Sequence, residues 1–488
     1  MSAWSETGPA TVQPSPLAWW WMGAAALLGA VYGLCCVTSW ILGLLAPAAI
    51  AVGAVALWRP EAGWRLLIAF LFLASNYIPP SVTIPVFWAG VGLFLLGCWM
   101  ENSRWARPVW WADRWWWSLS LAWIGWALVS SLHALEWGLS FKEVARYALC
   151  FVVFLTYLNW LNAPDRARRA LDWLETVLVA AAAVCVWQAI RQHAATMAQG
   201  EEVRLGPYPP NVSELAVCFA GLLPIRLSRM LASRPRGVRV WGGLAAMAVL
   251  GLAVAISGSR SACFAVGVGL AAVCWMWSPP RLRRLAAIGT VVLAGVGSCW
   301  FIYRVLHVDS PVGPWAFLSG RDRIWAAAIR AIADHPWLGV GPGNWSVWFG
   351  KQYFSVDFLF HDAQNNTFTF SPDLLRGEAH QLLLTKGAEM GVISILLLVG
   401  LLARWFQLAW RATAQAVDPW ARAVSAGCVA SMAGWVAFAM FENGPIIGRA
   451  RGAEVVMVWL IAAVPLAASR WRSPGRPTSS EPSPALPQ

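Results

Sequence analysis

Apolar segments long enough to cross a membrane recur along this chain, and one long polar interval, residues 303–379, interrupts them. A helix needs about 20 mostly apolar residues to cross a hydrocarbon core of about 30 Å. The segments lack the alternation of a membrane β-barrel, so the spans are predicted to be helices. The predicted fold class is all-α, a polytopic integral membrane protein with about 12 to 14 transmembrane helices. The lower number applies if short early segments pair as re-entrant hairpins.

This pattern divides the chain into five parts, and the polar interval is expected to carry an amphipathic helix. The parts are an N-terminal cytoplasmic tail (1–18), a transmembrane bundle (19–302), a long extracytoplasmic loop (303–379), the C-terminal transmembrane helices (380–470) and a disordered cytoplasmic tail (471–488). The last part is rich in Ser and Pro, a composition that does not form a packed core.

Basic residues predict the orientation of the spans, because Lys and Arg near span ends are retained on the cytoplasmic side. With the N-terminus inside, most of the 36 basic residues fall in inner connections, and the short outer connections are poor in them. The long loop is therefore predicted to be extracytoplasmic. Arginines beside anionic membrane lipids account for the net charge of +12, so nucleic acid is not predicted as a partner.

Composition agrees with a membrane protein, since 59% of the residues are hydrophobic and 12% are charged. All ten cysteines lie in apolar segments, which indicates neither a disulfide framework nor a cysteine metal site. The candidate metal cluster in the loop consists of Asp357, His361 and Asp362, whose helical spacing is not diagnostic. We therefore predict no metal and no cofactor.

The clearest unit in the loop is a helix after Ser319. Ser319 and Asp322 have capping-box spacing, and Trp325, Ile329 and Ile332 recur at intervals of three and four residues. This spacing predicts an amphipathic helix that lies along the membrane surface or packs over the spans.

Glycines follow this helix at positions 339, 341 and 343. A nucleotide-phosphate loop would require a preceding strand and a following Lys-Ser or Lys-Thr, and neither is present. The glycines are therefore predicted to form a turn.

The chain contains the motifs GRDRIW (320–325), ADHPWLGVGPGNW (333–345), AHQLLL (379–384) with EMG (389–391), Arg204 followed by Pro-Asn211, and a Ser-Gly-Ser-Arg260 hairpin. Together, these motifs resemble those of the O-antigen ligase and polymerase superfamily of bacterial envelope glycosyltransferases. The resemblance covers roughly residues 140–460. One departure is Gln381, where the family usually has Asn after the histidine.

The resemblance implies transfer of a glycan from an undecaprenyl-diphosphate carrier to an acceptor hydroxyl at the periplasmic face of the bacterial inner membrane. The implied partners are this lipid-linked donor, membrane lipids and an acceptor, which is a glycolipid (lipid A-core), a growing polysaccharide or a protein. Ligation, polymerisation and protein O-glycosylation therefore remain open. A transporter or lipid flippase is less favoured. Such proteins place ionisable residues at span midpoints and contain paired broken helices, and the sequence indicates little of either feature.

Arg260 and Arg204 are the candidate residues for binding the donor diphosphate. Arginine binds phosphate oxygens through two parallel hydrogen bonds and stays charged. Arg260 lies in a connection of a few residues between two spans, where an unpaired charge is unfavourable. Two alternatives are open: Arg260 reaches lipid headgroups, and Arg204 pairs with the nearby Glu201 and Glu202.

His380 is the candidate catalytic base, because a neutral imidazole can remove a proton from an acceptor hydroxyl. The alternative is a hydrogen-bonded histidine at the membrane interface. Candidate supporting positions are Arg191, Asn211, Glu378, Glu389 and Arg321.

Other charged residues near this candidate site have two interpretations each. Lys386 either contacts the diphosphate or pairs with Glu389, three residues further along its helix. Arg449 and Arg451 either extend the basic site or pair with Glu442 and Glu454.

Overall fold

The computed structural model of the protein describes residues 55, 57, 59–74, 80–100, 113–198, 212–233, 237–281, 283, 321–353, 360–362, 367–369, 379–442 and 453–471. Arg204, Asn211, Glu378 and the capping residue Ser319 lie outside these residues. So do Arg449 and Arg451.

Thirteen α-helices and one two-stranded sheet are found in the described residues. The helices are α1 (Pro60–Ala69), α2 (Pro80–Met100), α3 (Arg114–Ser130), α4 (Trp137–Trp160), α5 (Pro164–Ala198), α6 (Val212–Ser233), α7 (Val238–Ile256), α8 (Arg260–Trp277), α9 (Arg321–Asp334), α10 (Trp345–Trp348), α11 (Leu382–Gln415), α12 (Pro419–Ala439) and α13 (Ala453–Ala468). The strands β1 (Phe360–Asp362) and β2 (Thr367–Thr369) pair antiparallel, with Phe360 opposite Thr369.

Six of these helices, α5 to α8, α11 and α12, contain segments long and apolar enough to cross a membrane. The predicted all-α polytopic class is confirmed. The total of about 12 to 14 spans remains a prediction, since much of the N-terminal segment and the region around residues 284–320 lie outside the described residues.

Helices α6, α8 and α12 form the tightest part of the bundle. Ser431 of α12 donates a hydrogen bond to the carbonyl of Gly221, and the Trp435 indole donates to the carbonyl of Val217 at 2.9 Å. Residue numbers rise along α12 as they fall along α6, so these two helices are antiparallel. Gly434 lies against Ala265, and a Cβ added there would come within 2.5 Å of the Ala265 carbonyl oxygen. Small residues at such contacts let helix backbones approach closely.

Charged pairs fix the direction of two further helices. Arg229 of α6 pairs with Asp172 of α5 at 2.6 Å, and Arg226 pairs with Glu175. These pairs make α5 and α6 antiparallel, so α5 ends at the end of the bundle where α6 begins. Trp126 of α3 likewise donates to the carbonyl of Met390 in α11 at 2.8 Å, near the end of α3 and the start of α11.

The bundle therefore has two chemically different ends. At one end lie the starts of α6, α8 and α11 and the ends of α3, α5 and α12; we call it the His380 end. The opposite end carries paired arginines, including Arg404 with Asp113 and Arg169 with Glu61 at 2.8 Å. Among the described residues, the basic residues that the sequence assigns to inner connections thus gather at the end opposite His380.

Candidate functional site

His380 lies immediately before α11 in an unusual backbone conformation. Its φ is +47°, and it is the one non-glycine with positive φ among the described residues. The next residue, Gln381, is the N-cap of α11: its side-chain oxygen accepts a hydrogen bond from the Leu384 amide. A non-glycine residue in this region is unfavourable by about 1–3 kcal/mol, and such residues are concentrated at functional sites. The side-chain amide of Gln381 thus has a defined role as a helix cap.

Glu442 is the hydrogen-bond partner of His380. The distance from His380 Nδ1 to Glu442 Oε2 is 2.9 Å, and the two side chains are 24% and 25% exposed. Glu442 is held just after α12 by a hydrogen bond from its own amide to the carbonyl of Phe438. A carboxylate accepts from Nδ1–H, which leaves Nε2 as the acceptor, and no partner for Nε2 is found within the described ranges. This arrangement fits an imidazole oriented for proton transfer.

Arg260 lies at the same end, at the start of α8. Gly258 makes the preceding turn with a φ of +66°, and Ser259 caps the helix by accepting a hydrogen bond from the Ala262 amide at 3.2 Å. One turn into α8, the ring of Phe264 meets the ring of Phe441 edge-on at 5.5 Å. Phe441 directly precedes Glu442. The fold therefore brings the exposed Arg260 to within about two helical turns of the His380–Glu442 pair along the bundle axis.

The structure places the other predicted site residues as follows. Arg191 is exposed near the end of α5, at the His380 end, and its guanidinium lies 5.0 Å from the Trp187 ring centroid. Arg321 is the first residue of α9. Arg204 and Asn211 are outside the described residues.

Lys386 belongs to a buried charge network between α4 and α11. Its Nζ lies 2.7 Å from Glu389 Oε2, 2.8 Å from the hydroxyl of Tyr147 and 3.5 Å from Glu143 Oε1. Glu143 also pairs with Arg146. Lys386 and Glu389 are each 2% exposed. The interpretation that Lys386 contacts the diphosphate is therefore wrong, because the protein encloses this ammonium group and already supplies its counter-charges.

Glu389 lies next to a break in α11 at Gly391. Gly391 has a φ of +75°, and a Cβ there would overlap the backbone carbonyl of Trp337. The amides of Val340 and Gly341 donate to the carbonyls of Ala388 and Glu389 at 2.9 and 2.8 Å. The loop thus satisfies carbonyls that the broken helix leaves open.

These contacts confirm that the loop glycines form a turn. Gly339, Gly341 and Gly343 all have positive φ, which glycine adopts without steric penalty. In a phosphate-binding loop, such backbone amides would donate to the ligand, whereas here they donate to backbone carbonyls of α11. Asn344 fixes the far side of the turn, because its side chain accepts from the Glu136 amide at 2.8 Å and donates to Ser140 Oγ at 2.9 Å.

Helix α9 packs directly beside His380. Its buried residues join Ala379 and Ala388 of the α11 region in one apolar cluster, and they are Ile324, Ala327, Ala328 and Ala331. The helix is confirmed as one that packs over the spans. The prediction that Ile329 belongs to the buried apolar face is wrong, because Ile329 is 56% exposed. The face that contacts α11 begins at Ile324 and continues through Ala327, Ala328 and Ala331.

The candidate metal cluster is not helical. His361 and Asp362 lie in strand β1, and Asp357 is outside the described residues. The helical spacing suggested by the sequence is therefore wrong for His361 and Asp362. Within the residues that the structure describes, no group of three His, Cys, Asp or Glu side chains is arranged to hold a metal ion.

Glu442 is a candidate site residue that the sequence does not single out. The sequence offers it as a partner for Arg449 and Arg451, whereas its carboxylate binds His380. The signal for it in the sequence is an acidic residue at the end of an apolar segment.

Residues 245–399 match a family model described as O-antigen ligase. The match contains Arg260, α9, the glycine turn, His380 and Glu389, and it ends before Glu442. Among curated proteins, none matches the chain significantly.

Proposed function

We propose, on the premise that this chain belongs to the O-antigen ligase and polymerase superfamily of membrane glycosyltransferases, that it transfers a glycan from undecaprenyl diphosphate to an acceptor hydroxyl. The observation that carries this proposal is the His380–Glu442 pair. It joins a strained histidine to a carboxylate at the end of the bundle where an exposed arginine, Arg260, begins a helix.

In the proposed reaction, His380 Nε2 accepts the proton of the acceptor hydroxyl while the hydroxyl oxygen forms a bond to the anomeric carbon. The bond between that carbon and the diphosphate oxygen breaks, and undecaprenyl diphosphate leaves with the electron pair. Attack opposite the leaving group inverts the anomeric centre. Glu442 stabilises the imidazolium that forms, in the way a carboxylate supports a catalytic histidine.

Arg260 and Arg204 are proposed to bind the donor diphosphate and to neutralise the charge that develops on it. The start of α8 adds the partial positive charge of a helix N-terminus to that of Arg260. Arg191, Asn211, Glu378 and Arg321 are proposed to support this site. Arginines that neutralise the leaving group make a metal unnecessary in this scheme.

The proposed location is the bacterial inner membrane, with the His380 end facing the periplasm. The gathering of arginines at the opposite end supports this orientation, because basic residues are retained on the cytoplasmic side. The lipid-linked donor would then enter from the outer leaflet, with its diphosphate at the depth of the helix ends.

Three acceptors fit the chemistry: the lipid A-core glycolipid, the end of a growing polysaccharide and a protein hydroxyl. We favour ligation to the glycolipid because the matching family model is that of O-antigen ligase. Glycans extracted from a strain that lacks the protein distinguish these activities. Long lipid-linked chains should accumulate if the protein is a ligase, single repeat units if it is a polymerase, and underglycosylated protein if it modifies protein.

The test of the catalytic proposal is glycan transfer by His380→Ala in purified, reconstituted protein. Loss of the base should lower the rate by about 10²- to 10⁴-fold. The control is His335→Asn, which changes another partly buried histidine that contacts the rings of His133 and Trp348 instead. Unchanged transfer by His380→Ala, with normal insertion and yield, would reject the proposed base. A transporter would move its substrate with either variant and form no new glycosidic bond.

A further inference from the structure

A cavity lies at the end of the bundle opposite His380. It is bounded by α3, α4, α11 and α13 and has a volume of about 210 Å³. Its walls are apolar and include Trp117, Leu155, Leu158, Leu408 and Leu466. Pockets that enclose a whole drug-sized ligand start at about 300 Å³, so this cavity suits part of a larger, partly exposed molecule.

The rim of the cavity is basic and polar. It is formed by Arg411 and Gln415 at the end of α11 and by Ser469 and Arg470 just after α13. All four of these residues are exposed. The opening therefore lies at the level where the bundle meets the membrane surface.

Among the described residues, the two rim arginines have no carboxylate partner, unlike the neighbouring Arg404. Arg404, two turns before Arg411, binds Asp113 through Nε at 3.2 Å. Asp113 also lines the cavity but is thereby already paired. Across the described part of the chain, neither Arg411 nor Arg470 forms an ion pair.

We propose that this cavity binds one anionic glycerophospholipid of the surrounding membrane, with its phosphate between Arg411 and Arg470 and an acyl chain against the apolar walls. Basic pockets between transmembrane helices are suited to such headgroups. A free phosphate ion would use the rim but leave the walls empty. The lipid would belong to the leaflet opposite the His380 end.

The chain's own tail is a poorer occupant by charge. Its charged residues beyond Trp471 are Arg472, Arg476 and Glu481, so it is more basic than acidic. A segment of this composition would be repelled by two unpaired arginines. A phospholipid with a negatively charged headgroup has the complementary charge.

The test measures saturable binding to the full-length protein, purified in detergent, by native mass spectrometry. The probes are a short-chain phosphatidylglycerol, the matching phosphatidylcholine and inorganic phosphate. Phosphatidylglycerol should bind in a one-to-one complex and more tightly than the other two. Each of Arg411→Gln and Arg470→Gln should weaken it by about fivefold, and the double variant by about 30-fold.

The matched control is Arg281→Gln, which removes the same charge at the same end of the bundle but outside the cavity. It should change the affinity by less than about twofold. Thermal unfolding and gel filtration establish whether each variant is folded. If the double variant does not fold, the two single variants still test the site. Equal weakening by Arg281→Gln would overturn the site, since it would indicate general surface attraction. Equally tight binding of inorganic phosphate would overturn the proposal that the ligand is a lipid. Absence of saturable binding would also overturn it and would favour a segment of this chain as the occupant of the cavity.

Discussion

Replacement of Glu442 by Gln tests the role assigned to the His380 partner. The substitution keeps the size of the side chain and one oxygen that can accept from Nδ1–H, but it removes the negative charge. If the proposed reaction is correct, His380 becomes an imidazolium in the transition state, and the carboxylate then stabilises it by a charge-assisted hydrogen bond of 2.9 Å. The variant should therefore bind substrates normally and transfer them slowly.

The structure sets the expected size of this effect. A hydrogen bond to a charged group contributes about 1.5–3 kcal/mol, and about 1.4 kcal/mol corresponds to a factor of ten in rate. His380 and Glu442 are each about one quarter exposed, so solvent screens part of this energy. We expect the transfer rate of Glu442→Gln to fall by about 10- to 100-fold, less than the fall for His380→Ala.

The assay is transfer from lipid-linked glycan in proteoliposomes, with rates measured at saturating donor. Glu442→Asp serves as a comparison, because it keeps the negative charge but shortens the reach to the imidazole. It should retain more activity than Glu442→Gln if the charge matters more than the geometry, and less if the geometry matters more. The reasoning would be refuted if Glu442→Gln matched the wild type while His380→Ala was inactive. That result would leave His380 as a base without a carboxylate partner.

Three further predictions concern stability and can be measured by thermal unfolding in detergent. Gly391→Ala should lower the free energy of unfolding by at least about 1–2 kcal/mol, because φ is +75° and a Cβ would overlap the backbone of Trp337. The control is Gly400→Ala in the same helix, which meets only ordinary contacts and should be neutral or stabilising. Equal effects of the two substitutions would refute the break at position 391. Lys386→Met should lower the free energy of unfolding by about 3–5 kcal/mol, because it removes the counter-charge of the buried Glu389 carboxylate while Glu143 keeps Arg146. Adding Glu389→Gln should restore part of this loss, and additive losses would contradict the network. Burial and the neighbouring His133 lower the pKa of His335, so its contribution to stability should be present at neutral pH and lost as pH falls through this pKa. His335→Asn should therefore make the unfolding temperature less sensitive to acid. An unchanged dependence of the unfolding temperature on pH would contradict this.

Local patterns explain which parts of the fold were predictable. The periodic apolar residues of α9 and the glycines at 339, 341 and 343 act within a few positions of sequence, so a helix followed by a turn was the expected outcome. The precise buried face was not, because α11 decides which side of α9 is covered. Ile329 satisfies the spacing of a helix stripe but points away from that neighbour.

Contacts between distant segments explain what could not be predicted. Glu442 and His380 are separated by α11 and α12, and hydropathy carries no information about which residues at two span ends meet. The same holds for Glu143 and Lys386, whose charges would each be unfavourable within a span. Their partners become visible only when α4 and α11 are placed side by side.

The buried network and the glycine turn together support the position of His380. Lys386 lies six residues after His380 on the first segment of α11, where it is tied to α4 by Tyr147 and Glu143. That segment ends at Gly391, where the loop binds the open carbonyls. A helix start held at both its flank and its end has little freedom to move, and this allows a strained residue to persist directly before it. Glu389 and Gly391 thus hold the helix segment that follows His380. In the proposed reaction, the chemistry belongs to the histidine, its carboxylate partner and the arginines at the same end.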